Sequence, residues 1–207
     1  MATPAFYPSA SSARSPRVCY DPLLANVPRN VPAGLALIFD LDGVIVDSNP
    51  VHLHVWERYL RQLGAPVAGA LPDLMYGRRN DEIVRDLIGD HLSAEEIHAH
   101  GAAKEALYRQ IMRPQLAQRL VPGIGEFLSR HAGVPMAVAT NAEPANAEFV
   151  LRESGLKRYF LAVIDGQQVA RPKPDPEIYL RAAELLGRSA ADCVVFEDSA
   201  AGVRAAR

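Results

Sequence analysis

Asp40 and Asp42 lie two positions apart just after the apolar run at residues 35–38, and a glycine follows them. Because successive side chains alternate along a strand, both carboxylates are expected on the same side of a strand that ends there. Two like charges about 4 Å apart repel by roughly 4 kcal/mol at an effective dielectric constant of about 20, so a positive group must offset them. A divalent metal ion fits that role, although a solvated acidic turn explains these two residues alone equally well.

Polar residues also follow two later apolar segments that are predicted to be strands. These residues, together with one from a basic loop between the two segments, are Thr140, Asn141, Lys173, Glu197 and Asp198. Open parallel sheets bind ligands at the carboxyl ends of their strands. We therefore expect these side chains to meet Asp40 and Asp42 at one edge of a sheet.

This combination of groups suits a phosphoryl group. A bound metal ion and Lys173 would neutralise its charge, and a carboxylate would attack phosphorus. Thr140 and Asn141 would donate hydrogen bonds to its oxygens. The residues therefore predict phosphoryl-transfer chemistry at the sheet edge.

The elements that must position these residues alternate after about residue 121. Helices are predicted at 122–131, 144–154, 176–186 and from about 199 onward, and strands at 134–139, 161–164 and 193–196. Strands that alternate with helices indicate an α/β fold with a doubly wound parallel sheet covered on both faces. The sequence ends after the last predicted helix, where such a sheet normally gains another strand, so we expect the last core strand to be missing.

The residues after the first strand are predicted to be helical without any strand. Ser48 or Asn49 is expected to cap the first of these helices, and Ser93 begins another with a capping box. This block is interpreted as an all-helical cap inserted into the α/β core. The expected boundaries are 1–33 for a flexible tail, 34–48 and 116–207 for the core, and 49–115 for the cap.

Composition restricts the function classes. The chain has 207 residues and a formal net charge of −2, so neither nucleic acid nor an anionic membrane surface is expected as a partner. No apolar run reaches the roughly 18 residues of a membrane span. The two cysteines, Cys19 and Cys193, form no disulfide framework, which favours a cytoplasmic location. For the tail, an organellar transit peptide is the alternative to a flexible segment.

The order of the motifs resembles the haloacid dehalogenase superfamily of phosphohydrolases, in the branch with a helical cap after the first strand. The resemblance covers about residue 35 to the end. It is carried by Asp40-Leu41-Asp42-Gly43-Val44, by Thr140-Asn141, by Lys173-Pro174, and by Glu197-Asp198-Ser199 with Gly202. Each motif alone is weakly specific, but all four in this order form a strong signal. The resemblance implies a Rossmann-like core.

The resemblance also implies catalytic roles. Asp40 would be the nucleophile that forms an aspartyl-phosphate, and Asp42 would be the general acid for the leaving oxygen and then the base that activates water. Thr140 and Lys173 would hold the transferring phosphoryl group. Asn141 would contribute to substrate binding.

A magnesium ion is the cofactor that the resemblance implies. Asp40, Asp198 and the backbone carbonyl of Asp42 would bind Mg²⁺, and Glu197 would hold a metal-bound water or support the ligands. The dehalogenases of the superfamily lack the second aspartate, and its ion pumps carry threonine at that position. The presence of Asp42 with the acidic pair therefore indicates a phosphatase or a phosphomutase.

The nearer resemblance is to the beta-phosphoglucomutase-like and phosphoglycolate-phosphatase-like group. It implies that His52 lies near the cap hinge beside Asp42 as a substrate-binding residue, with an ordinary surface or core histidine as the alternative. It also implies that Lys104 contacts substrate, with a solvated lysine on a charged helix as the alternative. Arg78 and Arg79 would bind substrate from a cap loop, or belong to an ordinary basic loop.

Two residues depart from the mutase pattern. Asn80 stands where an arginine for a distal phosphate is expected, and Glu143 would repel a second phosphate. We therefore expect a Mg²⁺-dependent phosphatase that acts, as a monomer or weak dimer, on a small phosphorylated metabolite. A hexose-phosphate mutase is the first alternative, and a non-catalytic protein that binds a phosphorylated metabolite is the second.

Overall fold

A computed structural model describes residues 34–66, 71–75 and 78–207, so the expected tail at 1–33 lies outside the described residues. The described residues form a four-stranded parallel sheet in the order β3-β2-β1-β4. The strands are β1 (Ala36–Phe39), β2 (Met136–Thr140), β3 (Ala162–Asp165) and β4 (Cys193–Phe196). The predicted parallel α/β architecture is confirmed.

The central strand β1 is buried on both faces because its residues alternate between two cores. Leu37 and Phe39 pack with helices α6 (Ile124–Arg130) and α7 (Pro144–Glu153) on one side of the sheet. Ala36 and Ile38 pack on the other side, where the helices are α8 (Glu177–Leu185) and α9 (Ala200–Ala206). Helices thus cover both faces, which confirms the doubly wound prediction.

Four helices between β1 and β2 form a second packing unit, which we call the cap helices. They are α1 (Asn49–Gln62), α2 (Leu71–Met75), α3 (Asn80–Leu87) and α4 (Ala94–Met112). Their apolar sides enclose Trp56, Leu60 and Ile83 in a cluster of their own. The described residues of this block contain no strand, as predicted, and across 34–66, 71–75 and 78–207 no helix has the length and hydropathy to cross a membrane.

The two connections between the cap helices and the core lie side by side. The short helix α5 (Leu116–Arg119) leads back from the cap, and its last carbonyl accepts a hydrogen bond from Asp47 N at 2.7 Å. Val46 and Leu120 form an antiparallel bridge next to it. We call this paired segment the stem. Helices α2 and α5, of 5 and 4 residues, were not predicted because so short a segment shows no helical periodicity.

Both predicted helix starts are confirmed, but only one of them has the side-chain capping hydrogen bond. Ser93 caps α4 through the expected capping box, in which Ser93 Oγ accepts from Glu96 N and Glu96 accepts from Ser93 N. Ser48 stands at the start of α1 but makes no capping hydrogen bond. Its hydroxyl instead donates to Oδ1 of Asp42 at 2.5 Å, so it serves the site at the sheet edge.

Candidate active site

The cap helices and the carboxyl edge of the sheet enclose a cleft of about 620 Å³. The sequence-predicted site residues that line it are Asp40, Asp42, His52, Arg78, Arg79, Lys104, Thr140, Asn141, Lys173 and Asp198. Glu197 is the one predicted residue that does not line the cleft, and it contacts Lys173 instead. The fold therefore brings the four motifs to one place.

Lys173 joins two acids from different strands. Its Nζ lies 2.6 Å from Oδ1 of Asp40, which follows β1, and 2.7 Å from Oε2 of Glu197, which follows β4. The exposed fractions of the Lys173, Asp40 and Glu197 side chains are only 2%, 9% and 3%. Buried charges of this kind persist only when they are paired and hydrogen-bonded, as these three are.

Burial dominates the electrostatics of Asp40. It raises the pKa of Asp40 to about 7, because the charge of Lys173 only partly offsets burial and the repulsion of neighbouring acids. Burial alone would lower the pKa of Lys173, but the charges of Asp40 and Glu197 raise it above its usual value. Lys173 is therefore a cation at neutral pH, while Asp40 needs further positive charge to ionise fully.

Three carboxylates form a group that could hold that positive charge as a metal ion. One oxygen from each of Asp40, Glu197 and Asp198 lies within 4.8 Å of the others. Asp198 is accessible from the cleft, and partial desolvation together with the charge of Glu197 raises its pKa. Hard oxygen donors are the ligands that Mg²⁺ prefers, so the donor set fits this ion.

Two glycines make room for the acids. A Cβ on Gly43, which has φ +82°, would lie 1.9 Å from Oδ2 of Asp198. A Cβ on Gly202 would lie 1.9 Å from Oε2 of Glu197. Any side chain at either position would displace a carboxylate of the cluster, which explains the glycines of the first and fourth motifs.

Glu197 is saturated with hydrogen bonds. Its Oε1 accepts from the backbone N and the hydroxyl of Ser199 at 2.9 and 2.8 Å. Its Oε2 accepts from Lys173 and from the hydroxyl of Tyr179. These donors favour a role in which Glu197 fixes Lys173. Sequence reasoning missed Tyr179, since a tyrosine on an amphipathic helix is indistinguishable from an ordinary core residue.

The Asp42 carboxylate lies outside the three-carboxylate group, and the expectation that Asp40 and Asp42 share one cation stays a prediction. Strand β1 ends at Phe39, and the strand alternation on which that expectation rested does not reach Asp42. Oδ1 of Asp42 instead accepts from Ser48 Oγ and lies 3.7 Å from Nε2 of His52. Metal ligation by the backbone carbonyl of Asp42 is a separate prediction and remains one.

The contacts of Asp42 also set its ionisation. Burial alone would raise the pKa of Asp42, but the nearby His52 ring and the hydrogen bond from Ser48 lower it below its usual value. The two aspartates of the first motif thus have opposite shifts, Asp40 upward and Asp42 downward. Such divergence is typical of acids with different chemical tasks.

Thr140 ends β2 at the wall of the cleft, and Asn141 follows it. The buried Thr140 hydroxyl accepts a hydrogen bond from Ala142 N at 3.1 Å, which leaves its proton for another acceptor. Oδ1 of Asn141 accepts from Lys173 N at 3.3 Å, and its Nδ2 donates to Lys173 O at 3.5 Å. Asn141 therefore fixes the lysine loop against β2.

Lys104 is buried, so the alternative of a solvated lysine is wrong. Only 2% of its surface is exposed, and Nζ lies 2.8 Å from both Glu105 Oε1 and His52 Nδ1. A signal for this burial exists in the sequence. Lys104 continues the buried stripe of α4, which consists of Ile97, Gly101, Lys104, Tyr108 and Met112 at spacings of three and four residues.

Arg78 and Arg79 line the cleft but have acidic partners within the cap helices. Arg78 contacts Glu82 at 3.2 Å and Asp86 at 2.8 Å. Arg79 lies 3.4 Å from Asp81. Their contact with a substrate stays a prediction, and part of the cap loop, residues 76–77, lies outside the described residues.

The sequence is similar to known hydrolases and mutases. The family model for haloacid dehalogenase-like hydrolases matches residues 35–207. The fructose-1-phosphate phosphatase YqaB of Escherichia coli (strain K12) is 34% identical over 173 residues, covering 83% of this chain and 90% of that protein. The beta-phosphoglucomutase of Bacillus subtilis (strain 168) is 30% identical over 177 residues, covering 82% and 77%.

The fold is also similar to that of a known mutase. A crystal structure of beta-phosphoglucomutase from Clostridium difficile matches with a TM-score of 0.75 and 25% sequence identity, over 84% of this chain and 80% of that one. Both a phosphatase and a mutase therefore occur among the similar proteins, and the choice between these reactions depends on this chain's own residues.

Proposed function

Because the chain belongs to the haloacid dehalogenase-like hydrolase family, we propose that it is a Mg²⁺-dependent phosphatase of a small phosphorylated metabolite. The observation that carries the proposal is the position of Asp40. Its carboxylate stands at the end of β1 in the cleft, 2.6 Å from the Lys173 ammonium and within 4.8 Å of two further acids. A nucleophile beside concentrated positive charge is what phosphoryl transfer requires.

Asp40 begins the reaction by attacking phosphorus. The bond from its carboxylate oxygen to phosphorus forms as the ester oxygen–phosphorus bond breaks, and the product is an aspartyl-phosphate. Lys173 balances the charge of the phosphoryl oxygens, and the Thr140 hydroxyl donates a hydrogen bond to one of them. Mg²⁺ held by Asp40, Asp198 and the backbone carbonyl of Asp42 would supply additional positive charge for the same oxygens.

Asp42 transfers the protons of both half-reactions. A phosphoryl group nearby adds negative charge and so favours the protonated form of Asp42, which gives its proton to the leaving oxygen. The carboxylate that remains then takes a proton from water, which attacks the aspartyl-phosphate and releases phosphate. The low pKa that His52 and Ser48 impose on Asp42 in the free site supports this second half.

The cleft suits a substrate of the size of a sugar phosphate. Its volume of about 620 Å³ admits a small polar molecule, and the similar proteins are named for fructose 1-phosphate and phosphoglucose. The cap helices would open to admit the substrate and close to exclude bulk water. A cytoplasmic monomer or weak dimer remains part of this proposal.

A mutase is the second candidate, because beta-phosphoglucomutases are among the similar proteins. A mutase must bind a second phosphate in the same cleft. Glu143 lines the cleft, and its Oε2 lies 3.5 Å from Arg109 Nη1 but accepts no hydrogen bond from the described residues. Arg109 offsets only part of its charge, so the carboxylate would still repel that phosphate. Glu143 therefore favours the phosphatase over the mutase as the function of this chain.

The test is a Mg²⁺-supplemented screen of phosphate release from sugar phosphates and phosphoglycolate. We expect hydrolysis of at least one ester, and Asp40→Asn should lower kcat by at least about a thousandfold with the fold retained. Asp192→Asn, an exposed aspartate at the opposite edge of the sheet, is the matched control.

The outcomes of the screen separate the candidates. Near-wild-type turnover by Asp40→Asn would refute the nucleophile. Glucose 6-phosphate formed from beta-glucose 1-phosphate with a bisphosphate primer would identify the mutase, and a wild-type chain inert to every ester would leave the binding protein.

A further inference from the structure

Glu105 is a buried acid that the proposed chemistry does not use. It lies on α4 with 3% of its surface exposed. Burial alone would raise its pKa, but the charges of Lys104 and His52, with other contacts, lower the pKa to about 2. The side chain is therefore a carboxylate at neutral pH, and its donors compensate for the loss of water.

The partners of Glu105 lie on both the cap helices and the core. Its Oε1 accepts hydrogen bonds from Lys104 Nζ at 2.8 Å and from Asn80 Nδ2 at 2.7 Å, both within the cap helices. Its Oε2 accepts a hydrogen bond of 2.6 Å from Nδ2 of Asn146, which lies on α7 in the core. One carboxylate thus links the two parts of the molecule.

A chain of contacts leads from Glu105 to Asp42. Lys104 Nζ, which contacts Glu105, also lies 2.8 Å from Nδ1 of His52. The other ring nitrogen of His52 lies 3.7 Å from Oδ1 of Asp42. The His52 ring is stacked on Tyr108, with centroids 3.9 Å apart and 8° between the planes. The surroundings of Asp42 therefore depend on Lys104, whose place depends on Glu105.

Arg109 makes the link to the core specific for a carboxylate. Its Nη1 donates to Oδ1 of Asn146 at 2.7 Å, so the Asn146 amide must turn its NH₂ group toward Glu105. A glutamine at 105 has one oxygen and one NH₂ group. Whichever way it is oriented, the NH₂ group faces a donor, either Asn146 or the Lys104 ammonium.

We propose that Glu105 is a positioning residue that holds Lys104 and His52 in place beside Asp42 and couples this arrangement to the contact between α4 and α7. The inference rests on the proposed function, because the position of Asp42 matters for turnover only if Asp42 transfers protons. A displaced proton donor slows both half-reactions but leaves the binding of the phosphoryl group to Lys173 intact. The effect should therefore appear in kcat and not in KM.

The first experiment measures phosphate release by the full-length chain with Glu105→Gln. Glu95→Gln is the control, since Glu95 is exposed on the same helix and the change removes the same charge. We expect Glu105→Gln to lower kcat by at least about tenfold with little change in KM, and Glu95→Gln to match the wild type. Circular dichroism verifies that each variant is folded.

A second variant tests the link between cap and core alone. Asn146→Ala removes the donor on α7 and leaves Glu105 charged and paired with Lys104. We expect the same direction of change in kcat. In the double variant that combines Asn146→Ala with Glu105→Gln, the fold reduction in kcat should be smaller than the product of the two single reductions. Both substitutions remove the same hydrogen bond, so their effects are not independent.

A readout that is independent of activity comes from Trp56, the one tryptophan of the sequence. Lys104 Nζ lies 5.0 Å from the centroid of its ring, so tryptophan emission reports on the position of that ammonium. We expect Glu105→Gln to shift the emission in the same direction as Lys104→Met. Glu95→Gln should leave the spectrum unchanged.

These readouts separate the inference from the proposed function. Glu105→Gln with wild-type kcat, or with wild-type emission where Lys104→Met shifts the spectrum, would overturn the positioning role. A wild-type chain that releases no phosphate from any ester refutes the proposed function, whereas the emission change still decides whether Glu105 holds Lys104 in place.

Discussion

Removal of the Lys173 ammonium should destabilise the protein far more than the loss of a surface charge. At 2.6 Å and an effective dielectric constant of about 20, its attraction to Asp40 amounts to about 6 kcal/mol before desolvation is subtracted. Breaking a buried ion pair by removing one partner costs about 3–5 kcal/mol in net terms. We therefore expect Lys173→Met to lower the free energy of unfolding by about 3–5 kcal/mol at pH 8.

The loss should depend on pH in a defined direction. The contacts with Asp40 and Glu197 raise the pKa of Lys173 above 10.5, so its contribution to wild-type stability is present throughout the range from pH 6 to 8. Without the ammonium, the pKa of Asp40 rises further, and the pKa of Glu197 loses the contact that lowers it most. The folded variant therefore keeps protons that the wild type releases. Each such proton increases the destabilisation by about 1.4 kcal/mol per pH unit, so the loss is larger at pH 8 than at pH 6.

The assay is urea unfolding of both chains at pH 6 and pH 8 in the presence of a chelator. Lys157→Met is the matched control, because Lys157 pairs with Glu148 at 2.5 Å while 27% and 46% of their side chains remain exposed. Such a pair contributes at most about 1 kcal/mol. Equal losses for the two lysine variants, or a loss for Lys173→Met that does not grow with pH, would refute the electrostatic argument.

Three further predictions concern the cleft. Gly43→Ala places a Cβ 1.9 Å from Oδ2 of Asp198, so it should lower both Mg²⁺ affinity and kcat by at least about tenfold. Calorimetry measures the affinity, and phosphate release measures kcat. Gly125→Ala is the control and should change neither, because a Cβ there meets open space among the described residues. Excess EDTA should stop phosphate release and added Mg²⁺ should restore it, and full activity in EDTA would remove the metal from the mechanism. Glu143→Gln should strengthen inhibition by a sugar bisphosphate about fivefold compared with Glu184→Gln. Because burial and the charge of Glu105 raise the pKa of Glu143, that gain should be larger at pH 8 than at pH 5, and a gain independent of pH would contradict the assignment.

The position of the site in the core could be predicted from sequence because the carboxyl ends of parallel strands lie at one edge of the sheet. Apolar segments that end in Asp40, Thr140 and Glu197 had to become parallel strands with their carboxyl ends at one edge. The neighbours of β1 are indeed β2 and β4, so these three residues come together without any side-chain detail.

The cap could be predicted only in outline, because its polar contacts depend on how helices pack. Ser48 occupies a capping position, yet its hydroxyl binds Asp42, since the turn at Gly43 brings that carboxylate within reach. The local sequence favoured a hydrogen bond from Ser48 to the backbone at the start of α1, but the tertiary contact with Asp42 formed instead. The burial of Lys104 was visible in the stripe of α4, but its pairing with Glu105 was not, because adjacent residues on a helix usually point apart.

The stem has a consequence for how such enzymes diversify. Since Asp47 and Arg119 are hydrogen-bonded to each other, the chain leaves the core and returns to it at one place, whatever lies between these two residues. The segment between them can change in length or sequence while the sheet keeps its register and Asp40 keeps its position. Chemistry and molecular selectivity are thereby inherited on separate pieces of the polypeptide, and new substrates become accessible without the invention of a new catalyst.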